Sequence, residues 1–190
     1  MAILVVVELH GTTTDDYDEL NRALGIDPDH PPEGLTSHVA GPADDGLLIV
    51  DTWESEDALN RFFEERVGPG MEQAGIAPAG PPRVYPVHKQ LEGAGRNAGV
   101  IVLIEAEGFH ADAYDSLTAG MDSHAGDGSG HPAVSHVAGV TDDGMIFVDV
   151  WESPEEFASF AERELADAGD ELGPMEPRFV PVHNRMVVSG

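Results

Sequence analysis

Ser37-His38-Val39-Ala40-Gly41 through Asp51-Thr52-Trp53-Glu54-Ser55 decides the fold, because the chain carries this stretch twice. The second copy runs from Ser135-His136-Val137-Ala138-Gly139 to Asp149-Val150-Trp151-Glu152-Ser153. Between its anchors each copy holds Asp-Asp-Gly (Asp44-Asp45-Gly46 and Asp142-Asp143-Gly144) and then an apolar run. A period of roughly a hundred residues is too long for a solenoid unit and suits one small domain. The 190-residue chain therefore reads as a tandem duplication: repeat 1 over 1–91, a glycine-rich and flexible linker over 92–99, and repeat 2 over 100–190.

Within the repeat, Leu35–Gly41 and Leu47–Trp53 read as a hairpin closed by the turn around Pro42–Gly46. Ahead of it, Ile3–Leu9 is a nearly continuous apolar strand, and Thr12–Asp16 supplies cap oxygens and first-turn carboxylates. The helix they start carries Tyr17, Leu20 and Leu24 on one face, and Gly25 is placed to end it. After the hairpin, Ser55 caps a second helix with Leu59, Phe62, Phe63 and Val67 as its apolar face, and Arg83–His88 is a last strand. Repeat 2 follows the same order: strand Val100–Glu105, a helix with Tyr114, Leu117 and Met121, and the hairpin Ala133–Gly139 with Met145–Trp151. A helix with Phe157, Phe160, Ala161 and Leu165 and the strand Arg178–His183 close it.

Each half is thus β-α-β-β-α-β, the split βαβ order of ferredoxin-like domains. Helices cover one face of such a sheet, yet the strands are apolar at both parities: Leu48 and Val50 beside Leu47 and Ile49, Ile146 and Val148 beside Met145 and Phe147. A second apolar face must be buried against something, and the other copy is the available partner. The expected fold class is α+β, two ferredoxin-like halves forming one intramolecular barrel with helices outside. A monomer follows, with further dimerisation left open.

Composition bounds the function. The formal charge is −27, from 36 acidic against 9 basic residues, and Lys89 is the single lysine. Such a surface repels phosphate backbones and anionic lipid, so no nucleic-acid or membrane partner is expected. The same acidity fits adaptation of a surface to high salt. The absence of cysteine excludes disulfides and thiolate chemistry. Met1–Val7 lacks the basic flank and length of a signal peptide, and no apolar run approaches the roughly 20 residues of a membrane span. A cytoplasmic protein is expected.

The pattern Asp-x-Trp-Glu-Ser ahead of an aromatic-rich helix resembles the dimeric α+β barrel superfamily, and is most similar to its antibiotic biosynthesis monooxygenase-like domains, here as a fused tandem. The resemblance covers nearly the whole chain. It implies a cofactor-independent monooxygenase-like protein acting on a small aromatic or polyketide-type molecule. Haem-degrading relatives use a sheet asparagine, a tryptophan and a haem-ligating histidine on the second helix. Only the tryptophan has a match here, at Trp53 and Trp151. The helices after Ser55 and Ser153 carry no histidine. Polyketide oxygenases of the superfamily use an asparagine a turn of strand before the tryptophan, where this chain has Ile49 and Phe147. No cofactor is expected, and haem is disfavoured.

Four histidines occupy equivalent places in the two repeats, His38 with His136 and His88 with His183, whereas His30, His124 and His131 have no counterpart. Histidine serves as general base, metal ligand or hydrogen-bonded core residue, and duplication alone does not separate these. If Ala43–Gly46 is a four-residue turn, Pro42 faces Leu47 and His38 faces Asp51, as His136 faces Asp149. Residues opposite one another in an antiparallel pair share a face, so each pair is a candidate base with its orienting carboxylate; a one-residue slip would separate them. Trp53 and Trp151 share that parity. With Tyr17, Tyr114, His88 and His183 they are candidates to hold a flat small-molecule ligand, or simply large core side chains. An aspartate inside a strand is disfavoured, so Asp51 and Asp149 need a partner or a task. No spacing supports a metal site. Three readings follow: a cofactor-independent oxygenase with His38 and His136 as bases, a non-catalytic small-molecule or haem binder, and a structural or stress-related barrel.

Overall fold

The computed structural model describes residues 1–76, 80–124, 131–165 and 176–188, less the side chains of residues 74 and 120–124. The apolar position expected at Met121, the side chain of His124 and the end of the last helix beyond residue 165 lie outside the described residues.

The chain is α+β. Repeat 1 forms β1 (Ile3–His10), α1 (Thr14–Leu24), β2 (Leu35–Ala43), β3 (Gly46–Trp53), α2 (Glu56–Phe62), a π-helical turn (Phe63–Val67), α3 (Gly68–Ala74) and β4 (Arg83–Glu92). Repeat 2 forms β5 (Val100–Glu107), α4 (Ala111–His124), β6 (Ser135–Val140), β7 (Gly144–Trp151) and α5 (Pro154–Phe160). A π turn (Ala161–Leu165), β8 (Arg178–Pro181) and β9 (Asn184–Val187) complete it. Local chemistry sets these bounds. Thr13 and Asp16 form a reciprocal capping box at the start of α1, and Gly25 ends the helix at φ 63°. Ser55 and Ser153 cap α2 and α5 through their hydroxyls. The second helix of repeat 1 turns through the π segment, so Phe63, expected on its apolar face, is 40% exposed, while Leu59 and Phe62 stay packed beside Trp53.

Both hairpins adopt the expected register: Pro42 faces Leu47, His38 faces Asp51, and His136 faces Asp149. The chain divides into two compact units that differ from the sequence halves. Unit 1 is Met1–Pro86 with Val180–Gly190, and unit 2 is Val87–Phe179. In unit 1 the order is β4 (to Pro86), β1, β3, β2, β9; in unit 2 it is β8, β5, β7, β6, β4 (from Val87). The last strand of each repeat thus starts beside the first strand of its own repeat and finishes beside the second strand of the other: Ile3 faces Pro86, but Gln90 faces Val137 and Met186 faces His38. The expected strand Arg178–His183 is accordingly two short strands, broken at Val182-His183, while β4 runs on past His88 to Glu92.

The glycine-rich 92–99 stretch is fastened rather than loose. Gly93 and Gly95 donate to the carbonyls of Val134 and Ala133, Gly99 donates to Trp151, and Glu152 Oε1 accepts from the amides of Arg96 and Asn97. A Cβ at Gly93 would stand 2.0 Å from the Ala133 carbonyl oxygen, so close backbone approach explains that glycine.

Helices pack on one face of each sheet, giving a core of Leu9, Tyr17, Leu20, Ala40 and Leu47 in unit 1 and of Val102, Phe109, Tyr114, Phe147 and Trp151 in unit 2. The opposite parity is buried as well, at Leu4, Val6, Leu48 and Val50 and at Ile101, Leu103, Ile146 and Val148. No helix among the described residues is long and apolar enough to cross a membrane.

Candidate functional site

The register places a histidine and an aspartate side by side on the helix-covered face of each sheet. In unit 1, His38 Nδ1 lies 2.6 Å from Asp51 Oδ1, and His38 Nε2 lies 2.5 Å from the hydroxyl of Tyr17 on α1. In unit 2, His136 Nδ1 lies 2.6 Å from Asp149 Oδ1 and His136 Nε2 lies 2.8 Å from the Tyr114 hydroxyl. A carboxylate only accepts, so Nδ1 carries the proton toward the aspartate. On the neutral imidazole Nε2 is then the acceptor, and the phenol donates to it. Asp–His–Tyr is one directed chain of hydrogen bonds, and it occurs twice.

Tyr17 and Tyr114 therefore do more than wall a pocket: each covers the histidine with a nearly parallel ring, at 2° between planes, and occupies its second nitrogen. Burial pushes the Tyr17 phenol well above its ordinary value; a hydrogen bond from Asn21 works against this, and the charges of Asp51 and Asp18 add to it. Tyr17 stays a neutral phenol through neutral pH, as the donor role requires.

A second His–Asp pair caps each tyrosine. His183 Nε2 lies 2.9 Å from Asp18 Oδ1, its ring edge-on to Tyr17 at 6.0 Å. His88 Nε2 lies 2.7 Å from Asp115 Oδ1, edge-on to Tyr114 at 5.5 Å. The strand exchange sends His88 to the unit 2 site and His183 to the unit 1 site. Both sit at a backbone irregularity, His88 at the register shift between Val87 and Lys89 and His183 in the break between β8 and β9, the kind of step that re-aims a side chain. Asp18 and Asp115 escaped the sequence reading, although Tyr-Asp recurs at 17–18 and 114–115 and carried the signal.

The surroundings differ. In unit 2, Phe147 stacks beside both Tyr114 and His136, and His131 packs against His136, Trp151 and Phe160. His131 had no counterpart in the sequence and proves part of the site. Trp151 Nε1 donates to Asp149 Oδ2 at 3.4 Å. In unit 1 the equivalent positions are Ile49 and Glu33, and Trp53 Nε1, in an indole only 1% exposed, has no hydrogen-bond partner among the described residues. The His38 and Asp51 side chains are 11% and 16% exposed, against 9% and 8% for His136 and Asp149. A cleft of about 390 Å³, lined among others by Asp18, Asn21, Arg22, Asn184 and Met186, adjoins the unit 1 site. Among the described residues no group of three or more His, Asp and Glu side chains is arranged to hold a metal ion.

These features define an α+β, ferredoxin-like chain with two Asp–His–Tyr sites, one buried and one partly buried. The fold is shared with a candidate monooxygenase of Fusobacterium nucleatum (TM-score 0.63, 10% identity, 100% of this chain and 95% of that one). It is also shared with a candidate monooxygenase of Lactobacillus acidophilus (0.62, 13%, 98% and 96%). A Listeria monocytogenes ferredoxin-fold protein related to antibiotic biosynthesis monooxygenases is similar too (0.53, 10%, 97% and 96%). No protein-family model and no curated protein sequence matches the chain. What the chain shares with these structures is the ferredoxin-like α+β fold that the resemblance implied.

Proposed function

We propose that the protein is a cofactor-independent monooxygenase-like enzyme acting on a small aromatic molecule with an acidic C–H or O–H, the Asp–His–Tyr chain serving as its base. The observation that carries this reading is the chain itself, Asp51–His38–Tyr17, with contacts of 2.6 and 2.5 Å. The neighbours described as monooxygenases support the reaction class. Because Tyr17 resists ionisation, a proton taken up by its oxygen must be matched by one passed on to His38 Nε2, leaving an imidazolium held by Asp51. For a substrate with an activated CH2 group, the carbanion so formed reduces dioxygen, the co-substrate. The CH2 becomes a carbonyl, and one oxygen atom leaves as water.

Dioxygen uptake with a panel of phenols and benzylic ketones tests this. Turnover is expected in the parent protein and a loss of roughly a hundredfold or more in a folded His38→Gln variant. Undiminished turnover in that variant, or none in the parent across the panel, overturns the reading. A second, structural reading applies to the unit 2 site, where the three polar side chains satisfy one another under a lid of rings.

A further inference from the structure

The two sites have the same polar chain and different fillings. Phe147 in unit 2 stacks 5.8 Å from Tyr114 and 6.1 Å from His136, and its counterpart in the ladder of unit 1 is Ile49, partly exposed. Val7 faces Ile49 as Ile104 faces Phe147, so the backbone places the two alike and only the ring differs. His131, packed 6.0 Å from Trp151, has Glu33 as its counterpart in the sequence repeat, and the Glu33 side chain is 92% exposed and reaches toward Arg61. Two rings that cover the unit 2 chain are thus missing in unit 1.

The indoles point the same way. Trp151 has Asp149 Oδ2 as its acceptor, whereas the equally buried Trp53 Nε1, on the face that holds His38 and Asp51, has no acceptor among the described residues. A buried donor left unmet is costly, so an acceptor brought to it is favoured. Unit 1 is also the less sealed of the two: Ile49 is partly exposed, the His38 and Asp51 side chains are 11% and 16% exposed, and a cleft lined by Asn21, which hydrogen-bonds Tyr17, and Met186, which faces His38 across the ladder, lies beside the polar chain.

We propose that the two sites are not equivalent. Unit 1 takes one small ring-bearing molecule whose acceptor atom receives the Trp53 N–H, while Phe147 and His131 occupy the matching space of unit 2 permanently. The inference deepens the enzymatic reading, which it makes a one-site reaction per chain, but it concerns binding and is tested without turnover.

The chain has two tryptophans, so its indole N–H region of a ¹⁵N-labelled sample holds one signal per site. Titration with 1-indanone, a ring with a carbonyl acceptor, is expected to move the Trp53 signal saturably and leave Trp151 in place. Indane, the same skeleton without the acceptor, should bind roughly tenfold or more weakly. Ile49→Phe, which copies the unit 2 filling, should weaken 1-indanone by roughly tenfold or more. Trp53→Phe assigns the signals; if it does not fold, Trp151→Phe assigns them by elimination. Movement of Trp151 with equal affinity, no movement of Trp53, equal binding of indane, or unchanged affinity in Ile49→Phe overturns the proposal. A saturable Trp53 response in a protein without dioxygen uptake would leave the inference standing and remove the base.

Discussion

The site of unit 1 and the site of unit 2 share three side chains at matching distances, yet Phe147 and His131 pack over one, where the other has the aliphatic Ile49 and an exposed Glu33. Asp, His and Tyr must agree in position to within a few tenths of an ångström to make two hydrogen bonds in series. The apolar wall need only fill volume. The duplicated chain shows the two requirements separately: the directed bonds are common to both copies, and the filling is not.

The largest effect expected from this difference is that of removing the aspartates. Asp149→Ala strands a buried imidazole N–H and should cost about 3–5 kcal/mol, whereas Asp51→Ala, in the more open site, should cost about 1–3 kcal/mol. Denaturant unfolding of the two variants measures both; equal losses would break the comparison. Next come the phenols. Tyr114→Phe and Tyr17→Phe each leave Nε2 without its donor, for about 1–2 kcal/mol, and here near-equality is expected because the bond is the same.

Alkaline pH sharpens the comparison further. The folded value of Tyr17 lies above the unfolded one near 10, so the folded state holds this proton longer. Its stabilising effect is complete below about pH 10 and is lost as pH rises beyond that. The denaturation midpoint should fall as pH rises past about 10, less steeply in Tyr17→Phe; an unaltered slope would show that the phenol is not held neutral by the fold. The smallest effect belongs to the outer pairs. Asp18→Asn and Asp115→Asn remove partly exposed contacts and should each shift stability by less than ~1 kcal/mol, while a site that uses His183 to hold substrate would show a raised KM in Asp18→Asn alone.

Much of this was legible in the chain. The repeat, the element order and the hairpin register came from short-range signals: Thr13 and Ser55 as caps, Gly25 as a stop, and a four-residue turn that left His38 no partner but Asp51. What escaped depends on contacts distant in sequence. Nothing near residue 88 or 183 says that the strand changes neighbours halfway, so the destination of the outer histidines and the role of Asp18 and Asp115 stayed hidden. Flexibility inferred from glycines at 92–99 failed because those glycines serve close backbone approach to Ala133 and Glu152. Tyr17 and Tyr114 were read for their rings, and it is their hydroxyls that complete the site.

The halved last strands also govern the order in which the molecule can be finished. Unit 2 draws on one continuous stretch of chain, residues 87–179, whereas unit 1 joins residues 1–86 to the distant segment that brings β9 to the edge of β2. Until β9 docks, β2 offers an unpaired edge and Tyr17 lacks its outer histidine. Closure of the more open site thus waits on a segment far along the chain from the strand it joins, a long loop to close before the pairing is gained.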